Sequence, residues 1–536
     1  MKEKIAELIS KNIEGVDASD IIASIEIPPR PDMGDYAFPC FRLAKIMRKA
    51  PNMIAADIKE QIGDVDFIEK IDVAGAYLNF YIKKDIFVKT MIEAANSVNF
   101  GCSDLGDGQT ICIDYSSPNV AKNFHVGHLR TTIIGNSLYK IYSKLGYKVV
   151  RINHLGDWGT QFGKLIVAYK AWGTKEAVEK DGIAELMKLY VKFHEEADKN
   201  PELVDEARAW FNKMENGDEE ALSIWQWFKD ISLVEYKRTY NLLGMDFDYY
   251  LGESFYRDKC QAVVDKVKAA GLLKESEGAM IVDLSDYDMA PCIITKKDGS
   301  SIYATRDLAA IFYRKDTYNF SKCLYVTGQE QKLHFAQVFK VVELLGNEWA
   351  KDQLVHIPYG LVSLEGAKLS TRSGNIIYAE DILKDAIAKS LEIITEKSPN
   401  LPNKEDVAKK VGVGAVLFND LYNQRIKDVS FSWNKVLNFD GETGPYVQYE
   451  NFDPSAPVNY NLITEQDAIE LLKEINRFPA VIKDAADKYE PSIVARFAVD
   501  VAQAFNKFYN STRINVDDRD LKNARVMLTY LTKNTI

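Results

Sequence analysis

Within seven positions of this chain stand Lys122, His125, Gly127 and His128, a set of donors suited to a polyphosphate. Only 6 His occur among 536 residues, and two of them bracket Val126-Gly127. Imidazole N–H groups donate hydrogen bonds, and a lysine ammonium adds charge. Glycine lets the backbone approach a ligand because it has no Cβ. The residues before the set alternate as a strand does (Ile111, Ile113, Tyr115), and those after it are helically spaced (Leu129, Ile133, Ile134, Leu138, Ile141). The pair therefore falls where a strand hands over to a helix, whose first amides already attract anions.

Three further stretches carry chemistry. Gly366-Ala-Lys-Leu-Ser-Thr-Arg-Ser-Gly-Asn375 is a glycine-bounded loop in which Lys368, Ser370 and Arg372 could meet phosphate. Asn153-His-Leu-Gly-Asp-Trp-Gly-Thr-Gln-Phe-Gly163 reads as a tight loop after a strand, at the sheet edge where ligands bind. Tyr303-Ala-Thr-Arg-Asp307 is followed by Gln329, Gln331 and His334. Each has a bland alternative: a basic surface loop, a buried histidine at 154, a helix-start carboxylate at 307.

These residues need a frame. The strand 111–115, the helix 128–144 and the strand 148–152 form one βαβ unit, and a mostly helical stretch follows over 161–245. A second α/β run has strands at 323–326 and 354–358 around a helix at 331–345. Two α/β halves separated by an insertion predict a doubly wound Rossmann-type nucleotide-binding domain, about 106–376, with a helical insertion near 164–250. Before it, residues 1–105 read as a small α+β domain, with helices at 1–12 and 40–61 and strand-like runs at 21–27 and 76–82. After it, 377–536 reads as all-helical: 380–395, 405–420, 465–488, 491–511 and 519–533. The fold expected is multidomain α/β.

Composition narrows the class. The chain is 46% hydrophobic and 27% charged, enough for sizeable cores. No run approaches 18 apolar residues, so no membrane span is expected, and the N-terminus lacks a signal-peptide core. A cytoplasmic protein is expected. Its 6 Cys are scattered without a Cys-x-x-Cys pair, so reduced thiols are expected and no protein-held metal. A net charge of −11 argues against indiscriminate nucleic-acid binding but leaves local basic surfaces open, such as Arg42, Lys45 and Lys49 at helical spacing.

His125-Val-Gly-His128 resembles the His-Ile-Gly-His signature of class I aminoacyl-tRNA synthetases, and the Lys368 loop resembles their Lys-Met-Ser-Lys-Ser signature. The lead-in Ser116-Ser-Pro-Asn-Val-Ala-Lys122, the loop Gly156–Gly163, the Tyr303–Asp307 segment and Gly441-Glu-Thr-Gly-Pro-Tyr-Val-Gln-Tyr449 resemble the arginyl-tRNA synthetase family in particular. Gly34-Asp-Tyr-Ala-Phe38 and Leu43-Ala-Lys45 resemble its N-terminal tRNA-contacting domain, and the helical end is similar to its anticodon-binding domain.

That resemblance implies ATP-dependent attachment of L-arginine to its cognate tRNA through an arginyl-adenylate, with Mg2+ carried by ATP, in a protein that is usually monomeric. It implies catalytic roles for Lys122, His125, His128 and Lys368, and ATP contacts from Gly127, His125, His128, Lys368 and Ser370. By resemblance Asp307 pairs with the substrate guanidinium, with Tyr303 beside it and Gln331 near, while Asp114, Ser117 and Asn119 hold the ammonium and carboxylate. His154 joins the arginine site. Arginine activation is expected to require bound tRNA.

Three departures stand out. Thr371 replaces the usual second lysine, and Lys122 is read as compensating. Where an Ala-Arg-containing helix is expected after Tyr449, Glu450-Asn-Phe-Asp-Pro454 follows at once, and the chain stops at Ile536. Either pieces are missing there or the tRNA-facing domain is shortened. Two alternatives remain: a small-molecule nucleotidyltransferase, which the helical 377–536 region and the Lys368 loop oppose, and a catalytically inactive synthetase-like RNA-binding protein, which the intact Lys122, His125, His128, Asp307 and Lys368 set opposes.

Overall fold

Apolar runs near residues 111 and 323 become central strands of one parallel sheet. Its strands are β4 (Thr110–Asp114), β5 (Lys148–Asn153), β6 (Tyr249–Tyr250), β10 (Lys322–Gly328) and β11 (Leu354–Tyr359), in the order β11-β10-β4-β5-β6. Every pairing is parallel, and Cys112 lies opposite Cys323 and Val150. Strands covered on both faces read as continuous hydrophobic runs, as Ile111-Cys-Ile113 and Cys323-Leu-Tyr-Val326 do. Counted within this sheet the order is 5-4-1-2-3, the doubly wound arrangement, and it reverses between β4 and β10. The computed structural model describes residues 1–536 apart from 14, 29, 298–301, 365–366, 369–377 and 432–457.

The insertion between β5 and β6 comprises helices Thr160–Trp172, Lys175–Asp181, Ile183–Ala197, Glu202–Glu215 and Glu219–Leu243. The first and fourth of these cross closely: a Cβ on Gly163 would lie 2.0 Å from the Ala207 carbonyl oxygen. Between β6 and β10 comes a feature that periodicity did not reveal. It is an antiparallel sheet, β7 (Leu273–Ser276), β8 (Ala279–Val282) and β9 (Cys292–Thr295), set between helices Cys260–Ala269 and Tyr303–Tyr318. A small sheet closes this part of the chain: β12 (Val362–Leu364) is central, antiparallel to β13 (Ala367–Lys368) and parallel to β14 (Val429–Phe431). These elements belong to one compact unit, Gly101–Gly441 with Ala480–Arg496.

The other unit comprises Met1–Phe100, Glu442–Pro479 and Phe497–Ile536. Its sheet is antiparallel, in the order β1 (Tyr36–Pro39), β3 (Tyr77–Ile82), β2 (Ile68–Ala74). Lys473 pairs with Asp35 at 2.8 Å, and Lys84 Nζ donates to the Thr464 carbonyl at 2.8 Å, so N- and C-terminal segments share this unit.

Two expectations fail here. The 21–27 run is not a strand: Ala18–Ser24 is a helix, and only Glu26 bridges to Ala37. Ile21 and Ile25, four apart, are the buried residues, a helical spacing that the short apolar run concealed. The expected helix 40–61 is broken. Arg48 takes a left-handed φ of 49°, and Pro51 opens a new helix, Pro51–Ile62. Arg42, Lys45 and Lys49 therefore share no helical stripe, and Lys49 pairs with Asp57.

Candidate active site

The residues singled out at the end of β4 meet at the reversal of strand order. His125 is the N-cap of helix Val126–Lys144, and its Nδ1 accepts from the Gly127 N–H at 3.1 Å. The His125 N–H donates in turn to Nδ1 of His128 at 3.3 Å. This is a capping box in which both side chains are imidazoles. The rings stack with centroids 3.9 Å apart. With both Nδ1 atoms acting as acceptors, each neutral ring carries its proton on Nε2. Burial pushes both imidazoles below the usual histidine range, His128 well below it, and the neighbouring Lys122 ammonium adds to the effect. Burial also lowers Lys122.

The lead-in to the pair is held in uncommon backbone geometry. Ser116, Ser117 and Ala121 have φ of 73°, 46° and 60°, a left-handed region that non-glycine residues seldom enter. Tertiary bonds fix it. Ser116 N–H donates to Thr131 Oγ1 at 3.2 Å, and the Ser116 and Tyr240 hydroxyls lie 2.8 Å apart. Ala121 N–H donates to Ser232 Oγ at 3.0 Å, and the Tyr236 hydroxyl reaches the Asn119 and Lys122 carbonyls at 2.7 Å each. Ser232, Tyr236 and Tyr240 stand four apart on one face of helix Glu219–Leu243. Sequence reading missed them, although that spacing was the available signal. The lead-in also pairs with the loop after β5: Val120 N–H donates to the Gly156 carbonyl at 3.1 Å. A Cβ on Gly156 would sit 2.0 Å from Asn119 Oδ1, so any other residue there would push the Asn119 amide out of its place.

Asp114, at the end of β4, pairs with Arg314 Nη2 at 2.7 Å and accepts from Ser117 Oγ at 2.9 Å. Arg314 is 0% exposed, and its Nη2 lies 3.2 Å from His154 Nδ1. His154 stacks on Tyr256, and burial lowers its pKa. The structure thus brings Asp114, Ser117 and His154 around one buried guanidinium that sequence reading had not singled out. Asp157 in the next loop is fully committed: Lys229 lies at 2.6 Å, and the Ser254 N–H and hydroxyl lie at 2.8 and 2.7 Å.

Tyr303 and Asp307 lie one turn apart near the start of helix Tyr303–Tyr318, and Tyr303 is exposed. His334 Nε2 donates to Asp307 at 2.6 Å. Arg306 pairs with the buried Glu253 at 2.6 Å. Burial pushes the Glu253 carboxyl up to about 7 against the Arg306 charge, and Asp307 adds to the rise. Glu253 is a further missed residue, and nothing in its local pattern, Gly252-Glu-Ser254, marked it. Gln331 is exposed at the end of the turn Gln329–Gln331. Lys368 is placed as a strand residue in β13, opposite Ser363. Ser370, Thr371 and Arg372 lie outside the described residues, as do Gly441–Tyr449 and Glu450.

Three family descriptions match consecutive stretches of the chain. Residues 2–82 match the "Arginyl tRNA synthetase N terminal domain", 92–433 match "tRNA synthetases class I (R), catalytic domain", and 448–536 match the "DALR anticodon binding domain". The chain is 53% identical over 548 residues to an arginine–tRNA ligase of Alkaliphilus metalliredigens, covering 100% of this chain and 97% of that protein. To the arginine–tRNA ligase of Clostridioides difficile it is 52% identical, with the same coverage. The fold is that of the Thermus thermophilus arginyl-tRNA synthetase, at a TM-score of 0.80 with 21% identity, covering 100% of this chain and 97% of that one. The Plasmodium falciparum arginyl-tRNA synthetase follows at 0.75 with 23% identity, covering 99% and 96%.

Proposed function

The chain belongs to the arginyl-tRNA synthetase family, and from that premise we propose how its own side chains carry out the ATP-dependent attachment of L-arginine to tRNA. The arginine carboxylate attacks the ATP α-phosphate, pyrophosphate leaves, and the arginyl group then passes to the terminal adenosine of the tRNA. The attacking carboxylate is itself the nucleophile, so activation needs positioning and charge stabilisation rather than a general base.

The observation that carries this reading is the imidazole capping box. Because its Nδ1 atoms are occupied by backbone amides, His125 and His128 offer Nε2–H donors that are neutral and preorganised. Lys122 and Lys368 supply positive charge to the phosphates, Gly127 gives the backbone close approach, and Ser370 adds a hydroxyl. Mg2+ enters with the nucleotide. Asp307 takes the substrate guanidinium, bordered by Tyr303 and Gln331. Asp114, Ser117, Asn119 and His154 hold the ammonium and carboxylate, with Arg314 fixing Asp114 in place.

The three matched stretches, 2–82, 92–433 and 448–536, support an N-terminal tRNA-contacting domain, a catalytic domain and an anticodon-binding domain in that order. Among the described residues no helix is long and apolar enough to cross a membrane, and we read the protein as a cytoplasmic monomer. ATP–pyrophosphate exchange is the test. Exchange should require arginine and should appear only when tRNA is present. Lysine should be rejected by roughly 10⁴-fold, because groups set to hydrogen-bond a planar guanidinium would be left unpaired by a single ammonium. Absence of exchange with tRNA and arginine present would favour the inactive RNA-binding alternative.

A further inference from the structure

We propose that Arg130 is a positioning residue that holds the two phosphate-handling motifs in register, the His125/His128 pair and the strand carrying Lys368. The proposal rests on reading Lys368 as a phosphate ligand.

Arg130 lies on the helix that His125 caps, and it is 1% exposed. Its Nη2 donates to the carbonyls of Arg425 and Lys427 at 3.0 and 2.9 Å. Those carbonyls sit in the turn before β14, and from there the hydrogen bonds run on without a break. Gly360 N–H donates to the Arg425 carbonyl at 2.9 Å, Leu361 N–H to Asp428 Oδ1 at 2.7 Å, and Val429 N–H to the Leu361 carbonyl at 2.9 Å. Val362 then pairs with Val429 across β12 and β14, and Ser363 pairs with Lys368 across β12 and β13. The approach is tight: a Cβ on Gly360 would lie 2.5 Å from the Lys427 carbonyl carbon.

The chain beyond the second motif returns to the first. Ala379 N–H donates to the Phe124 carbonyl at 3.0 Å, Tyr378 bridges His125, and Asn123 Nδ2 donates to the Tyr378 hydroxyl at 3.3 Å. Lys368 and Tyr378, the described residues on either side of 369–377, are therefore both tied to the histidine helix or its lead-in. Arg130 makes one of the two ties.

The energetics favour a geometric role over a stabilising one. A buried guanidinium is costly unless its donors are well paired. Among the described residues Arg130 Nη1 has no hydrogen-bond partner, and Nε is 3.7 Å from Asp420 Oδ1, beyond hydrogen-bond reach. The other Asp420 oxygen also lacks a partner among those residues. A well-packed apolar side chain would cost less, but it could not grip two carbonyls of one turn.

The experiment is a double-mutant cycle on the full chain. It compares Arg130→Lys, Arg130→Met and Lys368→Ala, alone and combined, in ATP–pyrophosphate exchange with arginine and tRNA. Arg130→Lys should lower kcat by about 10–100-fold, the penalty of a small misplacement, with the ATP KM changed by less than about threefold. Each double variant should be no slower than Lys368→Ala alone, to within about twofold, because the lost contact works only through Lys368. Melting curves check folding, and if Arg130→Met does not fold, the lysine variant carries the comparison. Full activity in Arg130→Lys, or losses that multiply with Lys368→Ala, would overturn the proposal while leaving Lys368 as a phosphate ligand. Full activity in Lys368→Ala would overturn the underlying reading, and this inference with it.

Discussion

The histidine end and the carboxylate end of the site handle burial in opposite ways. At the histidine end, two imidazoles are kept neutral, held by backbone amides at a helix start, and offer donors without net charge. At the carboxylate end, each acid already has a partner of its own: Asp307 has His334 and Glu253 has Arg306. The histidine end is local, built within seven positions, whereas the carboxylate end is assembled from segments near 253, 303–307 and 334. A local constellation is preorganised by its own helix. A dispersed one depends on several elements arriving together, and its charges must be balanced by side chains brought from elsewhere. Substitutions at the first end should act on the chemical step, and those at the second on substrate affinity.

The largest effect should come from His128→Ala. Losing one preorganised donor is worth roughly 3–4 kcal/mol, so adenylation should fall by about 10²–10³ while the arginine KM hardly moves. A variant keeping more than half its exchange rate would remove His128 from the chemistry. Lys122→Ala comes next. If Lys122 stands in for the lysine that Thr371 replaces, exchange should fall by about 10²-fold, and adding Thr371→Lys should recover part of it. Independent, multiplicative effects would argue against compensation. At the other end, Asp307→Asn keeps shape but removes the charge facing the guanidinium. The arginine KM should rise by about tenfold or more, with the ATP KM within about twofold. An arginine-bound structure with Asp307 turned away would break the contrast between the two ends.

This contrast also explains what the sequence disclosed. The strand–glycine–helix handover at 110–144 and the later helices were legible because periodicity, caps and glycines are local signals. The helix 465–488 was seen as one element where two occur, Gln466–Ile475 and Phe478–Asp487, because both keep the same apolar spacing across the break. The lysine and histidines of the first motif were legible for the same local reason. Glu253 and Arg314 were not, since their partners lie tens to hundreds of residues away and no spacing encodes the meeting; the four-apart spacing of Ser232, Tyr236 and Tyr240 marks a helix face but not the lead-in that it meets. The 21–27 segment misled because five apolar residues in a short run fit a strand and a helix equally well.

The smallest effect concerns protonation, and it tests the histidine end alone. Burial lowers the folded-state pKa of His125, His128, His154 and His356, the last to about 4. An unfolded histidine titrates near 6.5, so below that pH the unfolded chain takes up protons that the fold refuses. The stability these rings contribute is complete above about pH 6.5 and is lost as pH falls through their folded values. Glu253, raised to about 7, and Asp420, raised to about 6, act the other way, because the fold takes their protons first as pH drops. His194 is lowered in the same way, and carboxyls held below their usual range, such as Asp248 and Asp283, also lose stability in acid, so acid should weaken the fold on balance. The variant His125→Asn/His128→Gln isolates the pair. Asparagine is a good N-cap and glutamine completes a capping box, so the melting temperature at pH 8 should stay within a few degrees. Below pH 6.5 the variant should lose less stability than the parent, by at most about 0.8 kcal/mol per replaced ring at pH 6. Denaturant melts at pH 8 and pH 6 make the comparison. Identical pH dependence in both proteins would mean that these rings accept protons in the fold as readily as in the unfolded chain, and the neutral-donor account of the capping box would fall.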